Sequence, residues 1–265
     1  MSFLTVAVFV IFSCSTDDKQ TVARFTDLVM ADEFDTDGVP NPNIWGYNIG
    51  TGDNGWGNGE LQYYTDRPEN ITVQNGVLII TAKKESYQNS SYTSARILTK
   101  GKFEQAYGRF EARIRVPYGQ GIWPAFWLLG DETNANVWPE IGEIDIMEYR
   151  GQNPTTILGT VHGPGYSGGK AITKSYTLAN ERFDTGFHIY GVEWGSEYIN
   201  FYVDDVLYNQ ITPDDVPGKW VYNHPFYIII NLAVGGSFVG APNAETVFPQ
   251  TMLIDYVRVY KDSYN

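Results

Sequence analysis

The chain has 265 residues, 31 acidic against 18 basic side chains, a formal net charge of −13 and an aromatic content of 15%. This charge disfavours nucleic acid and anionic membrane surfaces as partners, because both select basic patches. An acidic, aromatic-rich chain of this length suits one or two β domains that bind a neutral, polar ligand with apolar faces, such as carbohydrate, although acidity that serves solubility alone explains the charge equally well.

Residues 1–19 predict an export segment and tether. The stretch MSFLTVAVFVIFSC holds about ten mostly apolar residues, too few to span a bilayer and typical of a secretory signal. Cys14, the one cysteine, can form no intrachain disulfide. Its context, IFSC followed by STDD, resembles the lipobox of a bacterial lipoprotein, although no Lys or Arg precedes it and Phe12 is large for its position. We therefore expect a secreted or outer-surface lipoprotein of a bacterium, attached to a membrane only through a lipid on Cys14, with a simple cleaved signal as the alternative.

Residues 20–265 predict a single all-β domain. Runs rich in β-branched and aromatic residues recur along it, with Gly, Pro, Asn and Asp between them. In chain order these runs are GVLIITAKK (76–84), GRFEARIRVP (108–117), HIYGVEW (188–194), YINFYVDDVLYNQI (198–211), FYIIINLAV (226–234) and MLIDYVRVY (252–260). VDDVLY indicates a tight hairpin turn through Asp204 and Asp205. Short strands without amphipathic helices predict a sandwich of two antiparallel sheets, with one sheet face open to solvent or ligand.

The six residues EIDIME, 143–148, do not fit a regular strand. Alternation places Glu143 and Asp145 on one face and Glu148 on the other. A β-bulge near Met147 adds one residue, resets the alternation and brings the three carboxylates to one face, with the isoleucines in the core. Two such side chains leaning together could reach the separation of about 5–5.5 Å that retaining glycosidases need. Three acids on a solvated strand face, or a calcium site, fit the same spacing.

With its flanks, EIDIME resembles the active-site motif of glycoside hydrolase family 16, in the laminarinase branch of endo-β-1,3-glucanases. The similar segments are WGNGELQYYTDRPENITVQNGVLIITA (56–82), SARILTKGKFEQAYGRFEARIRVP (94–117), GIWPAFWLLG (121–130) and GTVHGPGYSGG (159–169). The resemblance runs from DEFD at 32 to DYVRVY at 255–260. It implies a β-jelly roll with a concave substrate cleft, and hydrolysis of β-1,3-linkages in glucans such as laminarin.

The resemblance also implies roles for the three acids. Glu143 matches the family's nucleophile, Glu148 its acid/base, and Asp145 the residue that tunes the protonation of its neighbours. The implied course is double displacement with retention, through a glycosyl-enzyme intermediate. No cofactor is expected for catalysis.

Seven further residues match substrate-binding positions of the family. They are Asn58, Arg96, Trp123, Trp127, Trp138, His162 and Phe238. The tryptophans would lie in or beside the cleft, Asn58 and Arg96 would bond sugar hydroxyls on the glycone side, and His162 would sit near the acid/base. Phe238 stands where many laminarinases carry a tryptophan, and it lacks the indole N–H donor. Each residue also has a structural alternative: a core aromatic, a turn-forming Asn, or an Arg or His with a structural partner.

Many family members bind one calcium ion away from the cleft. The matching positions are Glu33, Gly76 through its backbone, and Asp255. Calcium takes oxygen ligands of this kind, and its role would be structural. Two ordinary surface acids are the alternative.

Other functions of the same fold stay open. A mixed-linkage β-1,3-1,4-glucanase and an algal galactan hydrolase share the mechanism, and a non-catalytic glucan-binding protein shares the fold. The bulge and the HGPGYSGG loop favour glucan, and three retained acids argue against the binding protein. We therefore expect a monomer whose partner is β-1,3-glucan.

Overall fold

The computed structural model describes residues 25–132 and 136–262. The export and lipidation predictions for residues 1–19, including Cys14, lie outside the described residues. Within the described ranges the regular structure consists of seventeen β-strands and three short helical turns. These ranges contain no helix that is long and apolar enough to cross a membrane.

The strands are joined by connections that range from tight turns to long loops. Their bounds are β1 Phe25–Asp32, β2 Gly46–Tyr47, β3 Gln62–Tyr64, β4 Ile71–Gln74, β5 Val77–Tyr87, β6 Ser90–Ser94, β7 Arg96–Leu98, β8 Gly108–Arg115, β9 Ile122–Gly130, β10 Glu143–Tyr149, β11 Thr156–His162, β12 Ile172–Thr177, β13 His188–Gly195, β14 Tyr198–Val203, β15 Val206–Ile211, β16 Phe226–Val234 and β17 Gln250–Asp262. The helical turns are Gly55–Gly59, Gly168–Lys170 and Pro213–Asp215.

Two sheets form the sandwich. The ten-stranded sheet has the order β15-β14-β13-β8-β17-β5-β6-β3, with β1 added on β17 and β4 on β5. The seven-stranded sheet has the order β12-β11-β10-β9-β16-β7-β2. All strand pairs of the two sheets are antiparallel within the described residues except β3 with β6, which is parallel. The all-β sandwich is confirmed, and its arrangement is that of a jelly roll.

The predicted strand runs coincide with strands of the structure. The run 226–234 is β16, and the run 198–211 is the hairpin β14–β15. Asp204 and Asp205 form its turn with φ angles of 48° and 63°, the left-handed region that a tight two-residue hairpin requires. Short polar side chains tolerate this region better than most, so the paired aspartates explain where the hairpin turns.

The core lies between the sheets as one large cluster of apolar side chains. Ile144, Leu128 and Phe126 belong to it and are fully buried. A smaller apolar patch, made of Leu98, Tyr227 and Ile229, lies on the opposite, outer face of the seven-stranded sheet. All nine residues of β16 are consequently buried, because side chains of neighbouring strands cover its outer face as well as its inner one.

Candidate active site

Strand β10 brings Glu143, Asp145 and Glu148 to the outer face of the seven-stranded sheet. Their partners are residues 129, 127 and 125 on β9, and residues 162, 160 and 158 on β11. Each set is spaced by two, and alternate residues of a strand share a face. The pairing shifts between Asp145 and Met147 on one side and between Asp145 and Glu148 on the other. The bulge predicted near Met147 is therefore confirmed, and Met147 and Ile146 are both buried.

Rows of paired residues cross this face at right angles to the strands. They are Arg96–Asn231–Ala125–Glu148, Leu98–Ile229–Trp127–Asp145 and Tyr227–Leu129–Glu143–His162. Adjacent strands lie about 4.8 Å apart, so Arg96 lies about 14 Å from Glu148 along its row. The face thus carries the three acids on β10, apolar side chains on the neighbouring strands β9 and β16, and the cation Arg96 on β7, three strands away from Glu148.

Glu143 sits at one end of the acid set, where two ring systems hold it. The indole Nε1 of Trp138 donates a hydrogen bond of 2.7 Å to Oε2 of Glu143. His162 faces Glu143 across the strands, with Nε2 at 3.8 Å from Oε1, and its ring lies 6.0 Å from that of Trp138. Trp138 is also 42% exposed, so its ring remains open at the rim.

Asp145 is the most buried of the three acids. Burial and the adjacent negative charge of Glu143 raise the pKa of Asp145 well above its usual range, and its side chain is hydrogen-bonded to Glu143. A protonated Asp145 would donate in that bond to the Glu143 carboxylate. Nε2 of His162 lies 3.1 Å from Oδ2, and this oxygen has no aligned hydrogen bond among the described residues.

The tautomer of His162 follows from its other nitrogen. The backbone N–H of Gly168 donates to Nδ1 at 3.1 Å, so a neutral ring carries its proton on Nε2. That proton faces Asp145. The prediction placed His162 near Glu148, and its charge does act on Glu148. Its direct contacts, however, are with Asp145 and Glu143, because His162 is paired opposite Glu143 on β11.

Glu148 occupies the other end of the acid set. Burial, followed by the negative charges of Asp145 and Glu143, raises the pKa of Glu148 to about 8. Trp123 Nε1 donates to Oε1 at 3.2 Å, and Thr160 Oγ1 lies 3.5 Å from Oε2. A carboxyl that keeps its proton near neutral pH can act as a general acid.

Trp123 and Phe238 pack together instead of standing free. Trp123 is only 9% exposed, and its ring centroid lies 4.9 Å from that of Phe238. The guanidinium of Arg150 lies 4.0 Å from the same Phe238 ring. The loop of Phe238 does adjoin Asn58, because Ser237 N donates to the Asn58 carbonyl at 2.8 Å. The loop of Phe238 therefore lies beside Asn58, and the Phe238 ring already has two protein partners.

Arg96 forms the far wall of the face together with two tryptophans. Its guanidinium lies 4.7 Å from the ring of Trp56 and 4.8 Å from that of Trp127. Nε of Arg96 is buried without a hydrogen-bond partner among the described residues. Trp127 in turn donates from Nε1 to Asn231 Oδ1 at 2.8 Å. A guanidinium stacked in this way has its donors aimed along fixed directions.

The wall also contains residues that the sequence reading passed over. Trp56 lies in the turn 55–59, where its φ is 55°, and this unusual conformation brings its ring over Arg96. Glu60 and Asn231 bond to predicted site residues. The signal that could have found them is position: Trp56 and Glu60 flank Asn58 in WGNGE, and Asn231 interrupts the apolar run of β16.

The two carboxylates predicted to bind calcium, those of Glu33 and Asp255, are engaged in other contacts. Both carboxylate oxygens of Glu33 accept from Arg258, at 2.7 and 2.9 Å. Oδ2 of Asp255 accepts from Arg113 at 2.5 Å. A guanidinium on each carboxylate already neutralises it, so these side chains do not fit a calcium site as they stand.

Comparisons with known proteins agree with this geometry. The model of the family described as glycosyl hydrolases family 16 matches residues 58–258. A beta-glucanase from Rhodothermus marinus is 42% identical over 264 residues, 95% of this chain and 92% of that protein. The laminarinase catalytic domain from Thermotoga maritima is 49% identical with a TM-score of 0.84, covering 89% of this chain and 98% of that one. The catalytic domain of an endo-1,3-beta-glucanase (laminarinase) from Thermotoga petrophila is 48% identical with a TM-score of 0.86, covering 91% and 100%.

A metal ion would be an alternative occupant of the acid cluster on distance alone. Ligand atoms of Glu143, Asp145 and His162 lie within 4.8 Å of one another. The family match over residues 58–258 includes all three residues, and glycosidases of this family need no catalytic cofactor.

Proposed function

The chain belongs to glycosyl hydrolases family 16, and from this premise we propose that it is an endo-acting β-1,3-glucanase that works with retention of configuration. The observation that carries the proposal is the bulged strand β10, which presents two glutamates on one face with a buried aspartate between them. Similar proteins over most of the chain are named beta-glucanase and laminarinase. The chain is thus a glycoside hydrolase whose substrates are β-1,3-glucans such as laminarin.

In the first step Glu143 attacks the anomeric carbon. Trp138 holds Oε2 by its indole N–H and so orients the carboxylate for this attack. Glu148 donates its proton to the leaving glycosidic oxygen at the same time. Its raised pKa of about 8 keeps this proton in place at neutral pH. A glycosyl ester on Glu143 and a shortened glucan chain result.

In the second step the same groups reverse their roles. Ester formation removes the negative charge of Glu143, which is one of the causes that raise the pKa of Glu148. The pKa of Glu148 therefore falls once the intermediate has formed. Ionised Glu148 accepts a proton from water, and the hydroxide attacks the anomeric carbon and releases Glu143. Asp145 supports both steps through its hydrogen bond to Glu143.

The test is release of reducing ends from laminarin by the purified protein. Mixed-linkage β-glucan and an algal galactan serve as competing substrates. We expect the highest kcat/KM on laminarin and, by proton NMR of the first product, retention of the β anomer. Glu143→Ser should abolish release, while Glu140→Ser, an exposed acid on the same segment, should not change it. Preference for galactan, or a first product of inverted configuration, would overturn the proposal.

We propose that a structural calcium ion binds near Glu33, Gly76 and Asp255. Its ligands are backbone carbonyls and any carboxylate oxygen that leaves its arginine partner. Resemblance to the family supports it, and the pairing of both carboxylates with arginine opposes it. A chelator should lower Tm if an ion is bound, since binding to the folded state alone stabilises it. An unchanged Tm, with no calcium in the protein by elemental analysis, would refute it.

We also propose that the protein is exported, is lipidated on Cys14 and acts as a monomer. The apolar stretch and IFSC motif support export, and a soluble polysaccharide substrate requires no partner subunit. Fractionation of cells that express the full chain should place it with membranes, and Cys14→Ser should move it to the soluble fraction. Equal partition of both forms would exclude the lipid anchor.

A further inference from the structure

Glu60 is a partly buried carboxylate that the two-step mechanism does not use. Its Oε1 accepts from Asn58 Nδ2 at 3.2 Å. Its Oε2 accepts from Gln62 Nε2 at 2.7 Å and from the Tyr64 hydroxyl at 3.1 Å. Burial raises the pKa of Glu60, and the hydrogen bonds and the nearby charge of Arg96 offset part of that rise. Three donors on one carboxylate indicate an organising role, because an acid that served solubility alone would face water.

The network continues from Tyr64 to the opposite side of the cleft wall. Asn231 Nδ2 donates to the Tyr64 hydroxyl at 3.2 Å. Trp127 Nε1 donates to Asn231 Oδ1 at 2.8 Å. The path therefore runs from Glu60 through Tyr64 and Asn231 to Trp127, and each link is a single direct hydrogen bond.

The direction of every bond in this path is determined by its two ends. An indole N–H can only donate, and an ionised carboxylate can only accept. Trp127 therefore fixes the amide orientation of Asn231, whose NH2 group must point at Tyr64. Tyr64 then has one orientation for its hydroxyl proton, toward Glu60. If Glu60 no longer accepts this bond, the hydroxyl proton of Tyr64 is no longer held in one orientation.

Both ends of the network are groups that face the cleft. Asn58 is one end, and Trp127, which carries Arg96 on its ring, is the other. Glu60 also lies close to the loop of Phe238, because a Cβ on Gly236 would come 3.6 Å from Cγ of Glu60 and 3.1 Å from the carbonyl oxygen of Asn58. One carboxylate thus connects three parts of the wall that are far apart in sequence.

We propose that Glu60 is a positioning residue that sets substrate affinity on the Asn58–Arg96 side of the cleft without taking part in bond cleavage. This inference rests on the proposed function, since it assigns the wall to glucan binding. Glu60 orients Asn58 directly and Trp127 through Tyr64 and Asn231. Glu143 and Glu148 lie on β10, outside this network, so the chemical step does not depend on it.

Glu60→Gln tests the proposal, with Asp53→Asn as a matched control. An amide offers one acceptor oxygen where the carboxylate offers two, so either the Asn58 bond or both bonds on the other oxygen are lost. Asp53 lies in the same loop, is exposed, and loses the same charge. For long β-1,3-gluco-oligosaccharides we expect KM to rise about tenfold in Glu60→Gln, which corresponds to about 1.4 kcal/mol of binding, while kcat falls less than twofold. Asp53→Asn should leave both constants unchanged.

A second variant and a readout without substrate separate positioning from general stability. Tyr64→Phe leaves Glu60 and Asn58 in place and breaks the path to Trp127. The measurement is NMR of ¹⁵N-labelled protein without ligand. In Tyr64→Phe the indole N–H resonance of Trp127 should shift. In Glu60→Gln either the indole resonance of Trp127 or the side-chain amide resonance of Asn58 should shift. The indole resonance of Trp123, outside the network, should stay in place.

Three outcomes would overturn the inference. The first is an unchanged KM together with unmoved Trp127 and Asn58 resonances in Glu60→Gln. The second is a fall in kcat as large as the rise in KM, since this would mark a general loss of active structure. The third is an equal effect of Asp53→Asn. Failure of the proposed function looks different: the unmodified enzyme would not hydrolyse β-1,3-glucan, while the resonance shifts would still report the network.

Discussion

Deletion of Met147 tests the geometry of the acid-bearing strand. With Met147 removed, the motif becomes Glu-Ile-Asp-Ile-Glu, and regular alternation alone places its three acids on one face. Ile146 would take the position opposite Phe126 that Met147 holds in the bulged strand. We therefore expect the shortened chain to fold and to keep Glu148 in the cleft. Deletion of Ile146 and Met147 together shifts the alternation by one and turns Glu148 toward the core.

The magnitudes follow from burial and alignment. Met147 is fully buried, and loss of such a side chain costs about 2–5 kcal/mol. For a domain of this size each kcal/mol lowers Tm by about 2–4 °C. Without the bulge Glu148 is aimed differently, and a misplacement of about 1 Å costs about 10²-fold in rate. The double deletion removes the general acid and should cost about 10²–10⁴-fold in total relative to the unmodified enzyme, roughly the contribution of such a group.

The assay is kcat on laminarin for both deletions and for Glu148→Gln, with Tm measured on each. We expect the single deletion to retain more activity than Glu148→Gln and the double deletion to match Glu148→Gln. If the single deletion were as inactive as Glu148→Gln while its Tm showed a folded protein, the alternation argument would be refuted.

Three further predictions concern pH and the cleft wall. kcat/KM should fall above about pH 8, because the pKa of Glu148 is raised to about 8 and the acid form is lost above it; a profile that falls near pH 5 would contradict this assignment. In Trp123→Phe the alkaline fall should move to higher pH, because the Trp123 hydrogen bond lowers the pKa of Glu148; a move to lower pH would show that the bond acts otherwise. Arg96→Lys should raise KM about tenfold with little change in kcat, because an ammonium cannot stack between two indoles as a guanidinium does; an unchanged KM would remove Arg96 from the binding wall.

Local patterns made much of the fold predictable. The bounds of β16 and of the hairpin β14–β15 follow from apolar runs and a turn signal, both of which act within a few residues. The bulge follows from the positions of the acids in EIDIME, because regular alternation would place Glu148 on the opposite face from Glu143 and Asp145. It also follows from the need to keep Ile144 in the core. These features depend on steric alternation, which neighbouring residues determine.

Side-chain partners across the sandwich were not predictable in the same way. The pairing of Glu33 with Arg258 joins residues 225 positions apart, and the pairing of Asp255 with Arg113 joins residues 142 apart. The contacts of Phe238 with Trp123 and Arg150, and those of Glu60 with Asn58 and Tyr64, depend on loop conformations. Trp56 reaches Arg96 only because its backbone adopts a left-handed conformation. No periodicity encodes such contacts.

The central position of β17 has a consequence for how the protein is made. Residues 253–260 of β17 pair with β8 on one side, while residues 250–254 pair with β5 and residues 257–262 with β1 on the other. A ribosome adding 5–20 residues per second reaches residue 262 after about 13–50 s. Until then β5 and β8 expose unpaired edges, which are open to aggregation. The ten-stranded sheet can therefore be completed only late in synthesis, through long-range pairing. The yield of folded protein in cells depends on how well the unpaired edges of β5 and β8 are protected until β17 has been made.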